Sequence, residues 1–366
     1  MKHLIIIILF TLVHPVQAGT LADSSKHKDI RRLRDSSVRL WNKSNYNAAL
    51  VVANQAKELA EYTGDSFQLA VCLNNIGLIH SSKGDPVTSI FFCEQALSIF
   101  RALKNNKEVA TTLLNLGIDF KEQAIYDKAS SYLFESIMYF EKSGYLKGLS
   151  SAYNTRGNIF KNEKDYKKSL QYHFNSLTLR KNINYEEGIA GSYNNIGTVY
   201  KEMGKTDSAL FYLNASLQLK RKQSKPEQLA NTLSQIGEVV MIQGDYKLAG
   251  TYYDESYTIR KEMSNKTGIA RSLYELGTLN SEKGDLNKAS VLLHECELQA
   301  GEMKMSELLL KCYYMLKKVY ERNGKYTKAL KYADKYIIQN NIVRGEEKQK
   351  SLMQMEVKYD MQKKQH

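Results

Sequence analysis

The sequence predicts an all-α chain, a right-handed superhelical solenoid of about eight antiparallel helix pairs followed by a C-terminal helix. Three observations carry this expectation. A glycine recurs every 40 residues, at Gly77, Gly117, Gly157, Gly197, Gly237 and Gly277, and Lys317 takes the next slot. Four residues before each slot stand large side chains: Leu73, Leu113, Tyr153, Tyr193, Leu233, Leu273 and Tyr313. Small residues mark the seventh position before and the twelfth after, as in Ala190 and Ala209 around Gly197. Such offsets put large and small residues on one helical face, where small ones let two helices approach closely.

The chain begins Met1-Lys2-His3, then the apolar run Leu4 to Val13, then Val16-Gln17-Ala18 with small residues at cleavage positions. This reads as a secretory signal peptide over 1–18, cleaved after Ala18, too short to span a bilayer. The alternative is an uncleaved anchor. No cysteine follows the apolar run, so a lipoprotein anchor is not expected. The mature chain would start with a flexible stretch, 19–29, and is expected to be periplasmic or secreted, with no membrane span.

The solenoid is expected over 30–341. Its first pair is atypical, with Arg31, Arg32, Arg34 and Arg39 among Leu33, Val38, Leu40 and Trp41. A terminal unit meets water on one face, which makes this pair a cap. Within later units a turn separates the helices, as in Lys83-Gly84-Asp85-Pro86, Met203-Gly204-Lys205-Thr206 and Gln243-Gly244-Asp245-Tyr246. Glycine takes the left-handed conformation that ends a helix, and the Asp or Thr after it can cap the next. Pro86 and Pro226 fall where helices start, the place that tolerates proline. Ala124 and Lys164 replace the turn glycine, so slightly different turns are expected there.

From Arg344 the repeat stops. Leu352, Met355 and Tyr359 lie at offsets of three and four on a charged segment. The segment 342–366 therefore reads as an amphipathic helix that packs on the last repeat or pairs with a second copy, a possible homodimer contact.

The repeat pattern, best seen in Tyr193-Asn194-Asn195-Ile196-Gly197-Thr198-Val199-Tyr200, resembles the tetratricopeptide repeat. The usual unit is about 34 residues; these are longer. Units of this length resemble the exported repeat arrays of Bacteroidetes-type bacteria, and the segment Met355–Lys364 is similar to the charged helix preceding the membrane span in tetratricopeptide-repeat histidine kinases. The resemblance implies a non-enzymatic scaffold that binds a peptide or extended protein segment in its concave groove, with a partner in the cell envelope. It implies as the alternative a sensory ectodomain of a histidine kinase or helix-turn-helix regulator.

In such arrays the residue two before the glycine faces the groove. Here that lane contains Asn75, Asn115, Asn195 and Gln235, flanked one position earlier by Asn154, Asn194, Tyr274 and Tyr314. An amide offers donor and acceptor, which suits holding a peptide backbone. The alternative is that these amides serve the fold alone. Lys121, Lys161 and Lys201 form a secondary basic lane four residues after the glycine, with Glu122 and Glu202 beside it. A solvated charged face is the competing reading.

The net charge of +13 comes from Lys and Arg scattered among acids, so no nucleic-acid partner is expected. Cys72, Cys93, Cys296 and Cys312 occupy core positions of the repeat, and an exported chain leaves both buried thiols and disulfides open. No Cys-x-x-Cys or paired-histidine motif points to a metal. His80, His173 and His294 lack a spaced acid or thiol partner. Gly204-Lys205-Thr206 lacks the first glycine of a phosphate loop, with Val199 in its place. Neither a catalytic residue nor a cofactor is expected.

Overall fold

A computed structural model describes residues 16–223 and 225–363. Among the described residues the chain is sixteen helices with no strand. They follow as eight pairs: α1 (Val16–Asn42) and α2 (Tyr46–Thr63), α3 (Ser66–Ser82) and α4 (Pro86–Ala102), α5 (Asn106–Glu122) and α6 (Tyr126–Ser143), α7 (Leu146–Asn162) and α8 (Tyr166–Asn182). The rest are α9 (Glu186–Glu202) and α10 (Thr206–Lys220), α11 (Pro226–Ile242) and α12 (Tyr246–Glu262), α13 (Lys266–Lys283) and α14 (Leu286–Glu302), α15 (Ser306–Arg322) and α16 (Tyr326–Lys363). The residues group into two compact units that divide within α5, one up to Asp119 and one from Phe120 onward.

A residue with positive φ ends helices at intervals of twenty. The series runs from Ser44 through Gly64, Gly84, Lys104 and Ala124 to Lys304 and Gly324. Ser224, in the same register, lies outside the described residues. Ala124 (φ 60°) and Lys164 (φ 62°) take the same left-handed geometry as Gly204 (φ 72°), so the expected difference between these turns does not arise. Closing the turn outweighs a local cost of about 1 kcal/mol for a side chain in this region. Asp85, Asp245 and Asp285 each accept a hydrogen bond from the backbone three residues on, and so cap the following helix. Thr206 does not cap: it is already the first residue of α10, and Lys205 holds the cap position without a side-chain bond.

In the first unit Ile30 packs with Ala56, Ala60 and Cys72, and Ala49, Ala53, Ile76 and Ile79 pack with Trp41 and Phe92. Of the expected leader, residues 1–15 lie outside the described residues. The stretch 19–29, expected to be flexible, is part of α1. His27 Nδ1 sits 2.9 Å from Asp65, and Lys26 lies over the Tyr62 ring.

In the second unit the periodic glycines make room for a side chain from the second helix of the same pair. A Cβ on Gly157, Gly197, Gly237 or Gly277 would lie 2.7 to 2.8 Å from His173, Leu213, Tyr253 or Leu293 respectively. Those contacts are too short for any real Cβ, so glycine is what lets α8, α10, α12 and α14 approach their partners. Buried serines add a second tie: Ser176, Ser216 and Ser256 donate to the carbonyls of Ser150, Ala190 and Ala230 at 2.7, 2.8 and 2.9 Å. First helices of successive pairs (α7, α9, α11, α13, α15) also pack on one another, whereas among the described residues α8, α10, α12 and α14 do not. The second unit therefore has an inner face built from its first helices.

The C-terminal helix does not begin afresh at residue 342. α16 runs unbroken for 38 residues, because Arg344, twenty positions past Gly324, stays helical. Gln339 donates to Ser306 O at 3.1 Å and Ser306 Oγ to Glu346 at 3.0 Å, which hold α16 beside the start of α15. The backbone of α16 also reaches α6. The stripe of Leu352, Met355 and Tyr359 falls where only the backbone is described, and residues 364–366 lie outside the described residues. No helix among the described residues is long and apolar enough to cross a membrane. All four cysteines are buried free thiols, and burial raises Cys72 to about 11 and Cys93 to about 12.

Candidate functional site

The inner face of the second unit carries most of the amide lane. Asn154 on α7 and Asn194 and Asn195 on α9 are half-buried. Asn195 Nδ2 donates to Asn154 Oδ1 at 2.8 Å, so the amides of adjacent units touch. The first unit repeats this contact, with Asn115 Nδ2 donating to Asn74 Oδ1 at 3.2 Å and Asn75 half-buried next to it. Part of each amide's hydrogen-bonding capacity is thus spent within the lane. Asn194 Oδ1 accepts from Thr232 at 2.7 Å and from Lys220 at 3.4 Å.

Further along, Gln235 Oε1 accepts from Lys201 at 2.8 Å, and Lys201 also meets Glu238 at 2.6 Å. Lys161 lies 3.9 Å from Glu202, and Lys121 2.6 Å from Glu122. The three lysines that sequence places in one lane are therefore each engaged by a carboxylate. Tyr274 is half-buried, with its phenol pushed upward chiefly by burial. Tyr314 is exposed and packs its ring against Tyr336 at 5.8 Å.

Two of the recesses that open on this unit bear on the lane. The smaller, about 350 Å³, brings Asn154, Asn194 and Asn195 together with Arg180, Lys220 and Asn231. The larger, about 660 Å³, is walled by Tyr253, Tyr274, Glu275, Arg271 and Lys311, with Glu346 of α16 at its edge. Gln235 and Tyr314 line neither of these two.

The smaller recess takes its positive charge from Arg180 and Lys220, which the repeat pattern did not single out, and Arg260 holds the same place one repeat further on. Arg180, Lys220 and Arg260 stand 40 residues apart on α8, α10 and α12 and are 7, 4 and 2% exposed. The same position holds Ala60, Phe100, Phe140 and Ala300 in other units. The signal was present as a run of three cations in a lane that carries no other charge from Ala60 to Asn340. Arg180 Nη1 donates to Gly188 O and Ser192 Oγ, both at 2.9 Å, and Nε to Ser150 Oγ at 3.4 Å. Lys220 Nζ donates to Thr232 Oγ1 at 2.7 Å and Gln228 O at 3.3 Å. Burial holds the Arg180 guanidinium below its usual range and pushes Lys220 down to about 8. Gly188 is where Arg180 and Tyr185 crowd in: a Cβ there would lie 2.4 Å from the Tyr185 ring and 2.8 Å from Arg180 Cδ.

A second polar cluster lies in the last pairs. Glu297 meets Lys335 at 2.5 Å, Tyr332 Oη at 3.0 Å and His294 at 3.2 Å. Burial opposes ionisation of Glu297, but hydrogen bonds from His294, Lys335 and Tyr332 outweigh it and lower the carboxyl to about 2. A carboxylate held so firmly is a strut between α14 and α16 and a poor general base at neutral pH.

Residues 148–222 and 228–296 match the family model described as tetratricopeptide repeat. No curated protein matches the sequence. Among solved structures, the fold is similar to the apo form of the quorum sensor NprR from B. thuringiensis, at 13% identity and a TM-score of 0.68, covering 88% of this chain and 90% of that one. It is similar to the apo form of RapI at 17% identity and a TM-score of 0.62, covering 75% and 99%. A Rap protein complexed with competence and sporulation factor aligns at 12% identity and a TM-score of 0.60, covering 87% and 99%. At these identities the likeness concerns the fold. The two matched stretches read as tetratricopeptide repeats, and the same helix-pair geometry continues on either side of them.

Proposed function

We propose that this protein is a non-enzymatic scaffold that holds a peptide or extended protein segment on the inner face of its second unit. The observation that carries the reading is the polar recess where Asn154, Asn194 and Asn195 converge. An extended peptide presents unpaired backbone donors and acceptors, and a row of amides on rigid helices answers both. A structural neighbour of the same fold was solved with competence and sporulation factor bound, which makes ligand capture by such an array a natural use of the fold.

Selection from a random heptapeptide pool on the immobilised full chain, followed by fluorescence anisotropy with the enriched peptide, tests this. Asn154→Ala with Asn194→Ala should weaken that peptide at least tenfold while the far-UV circular dichroism stays helical. Enrichment of no sequence, or full affinity in the double variant, would remove the reading. Export is proposed on the leader Met1–Ala18 alone. Edman sequencing of the protein from its native cells should begin at Gly19, and a start at Met1 would contradict it.

A further inference from the structure

The smaller recess holds two buried cations, Arg180 and Lys220. Among the described residues neither Arg180 nor Lys220 forms an ion pair; every bond they make goes to a neutral oxygen. Both are more than nine-tenths buried, and Arg180 Nη2 takes no partner among the described residues. A buried charge without an opposite charge is among the costliest arrangements a fold can keep. Among the described residues Glu187 is the one carboxylate lining the recess, and it is already ion-paired with Lys225. Lys147, over the Tyr185 ring at 4.5 Å, adds further positive charge beside the opening.

The chain itself displays what a neutralised version looks like. One unit on, Arg260 lies 3.5 Å from Glu275 and 4.0 Å from Glu227. Glu275 follows Arg260 by fifteen residues, and the residue fifteen after Arg180 is Asn195. Fifteen after Lys220 is Gln235, whose oxygen is turned to Lys201. The repeat thus supplies a carboxylate from within at Arg260 and leaves neutral amides in the two preceding units, where the recess is open.

We propose that the recess between α8, α9 and α10 binds a carboxylate of the ligand, with Arg180 and Lys220 as its cationic floor and Asn154, Asn194 and Asn195 as the amides around it. The carboxylate comes from an acidic side chain or from a free C-terminus. A planar guanidinium beside an ammonium suits either, since both present two oxygens in one plane. The inference deepens the peptide-binding reading by naming the chemistry of its anchor, but the recess would take a small carboxylate even if no peptide bound elsewhere.

The test uses the full chain at constant chloride and four probes. These are sodium acetate, acetyl-pentaalanine as free acid, the same peptide as amide, and the acetylated, amidated pentapeptide with a central aspartate between paired alanines. Thermal shift and calorimetric titration read binding. Acetate should raise the melting temperature in a saturable manner, and the free-acid or the aspartate peptide should bind at least tenfold more tightly than the pentaalanine amide. The acid arm points to a chain terminus and the aspartate arm to a side chain. Arg180→Met should abolish the acetate shift. Should that variant fail to fold, Asn195→Glu replaces it: it installs for Arg180 what Glu275 provides for Arg260, so it should stabilise the free protein and abolish the acetate shift. Saturable binding of acetate with no affinity for any peptide would keep the carboxylate site and overturn the peptide scaffold. Equal affinity for acid, amide and aspartate peptides, unaltered by either variant, would overturn the carboxylate site and keep the scaffold. Binding of none of the four probes would overturn both.

Discussion

Replacing His173 by leucine should convert an acid-sensitive helix pair into an acid-tolerant one. His173 is fully buried on α8, facing the gap left by Gly157, and neither ring nitrogen has a hydrogen-bond partner. Burial, reinforced by the charges of Lys161 and Arg180, pushes the imidazole from 6.5 down to about 3. In the unfolded chain the ring titrates near its ordinary value of about 6.5. Above that pH both states are neutral and the shift contributes nothing. Below it the unfolded chain takes up a proton that the folded chain refuses, so stability falls as pH drops from 6.5 towards 3. At pH 4 the loss is about (6.5 − 4) × 1.36, on the order of 3 kcal/mol. Leucine fits the site: Leu213 stands in the same place one unit on, against Gly197, with the same 2.7 Å to a would-be Cβ. At pH 7 the substitution also removes two unsatisfied polar atoms, for a gain of about 1–3 kcal/mol. Urea denaturation followed by circular dichroism at pH 7, 6, 5 and 4 would measure the gap between the two proteins. It should widen by about 3 kcal/mol from pH 7 to 4; other titrating groups cancel in the difference. A gap that stays constant would refute the argument, because the ring would then reach solvent or a partner.

Gly197→Leu should lower the melting temperature, costing about 1–3 kcal/mol through overpacking, since even its Cβ would lie 2.7 Å from Leu213 Cγ and 3.1 Å from Ala209 O; an unchanged melting curve would put the helix register wrong. Lys164→Gly should stabilise by about 0.5–1 kcal/mol, relief of the left-handed strain being partly offset by the glycine's greater freedom when unfolded; a loss of stability would mean that the Lys164 side chain makes a contact worth more than the strain. Lys220, lowered by burial from 10.5 to about 8, is charged below pH 8 in a place that disfavours charge, so wild-type stability should rise with pH from about 8 towards 10.5. Lys220→Met should flatten that rise, and denaturation midpoints at pH 7.5 and 9.5 for both proteins would show whether it does.

The repeat was legible because its signals are local. Gly197, Tyr193, Ala190 and Ala209 sit at offsets that any helix converts into one face, and Pro86 and Pro226 begin α4 and α11 as their fixed φ requires. The turns were half legible. Asp85, Asp245 and Asp285 cap as their side chains suggest, yet Ala124 and Lys164 hide a left-handed turn that the twenty-residue rhythm imposes on them.

The candidate site was less legible, since a side chain's offset gives its direction and says nothing of what waits across the gap. The amide lane could be drawn from sequence, but the bond from Asn195 to Asn154 joins residues 41 apart, and the capture of Lys201 by Gln235 and Glu238 joins residues 34 and 37 apart. The buried cations make the same point. Arg180, Lys220 and Arg260 look in sequence like three solvated charges near helix ends. Sequence by itself determined the helix pairs, their period and where glycine must stand, because those follow from the geometry of one helix against its own turn. Tertiary structure alone decided that Arg260 has a carboxylate while Arg180 and Lys220 do not, because charge neutralisation depends on which side chains neighbouring helices bring within a few ångströms.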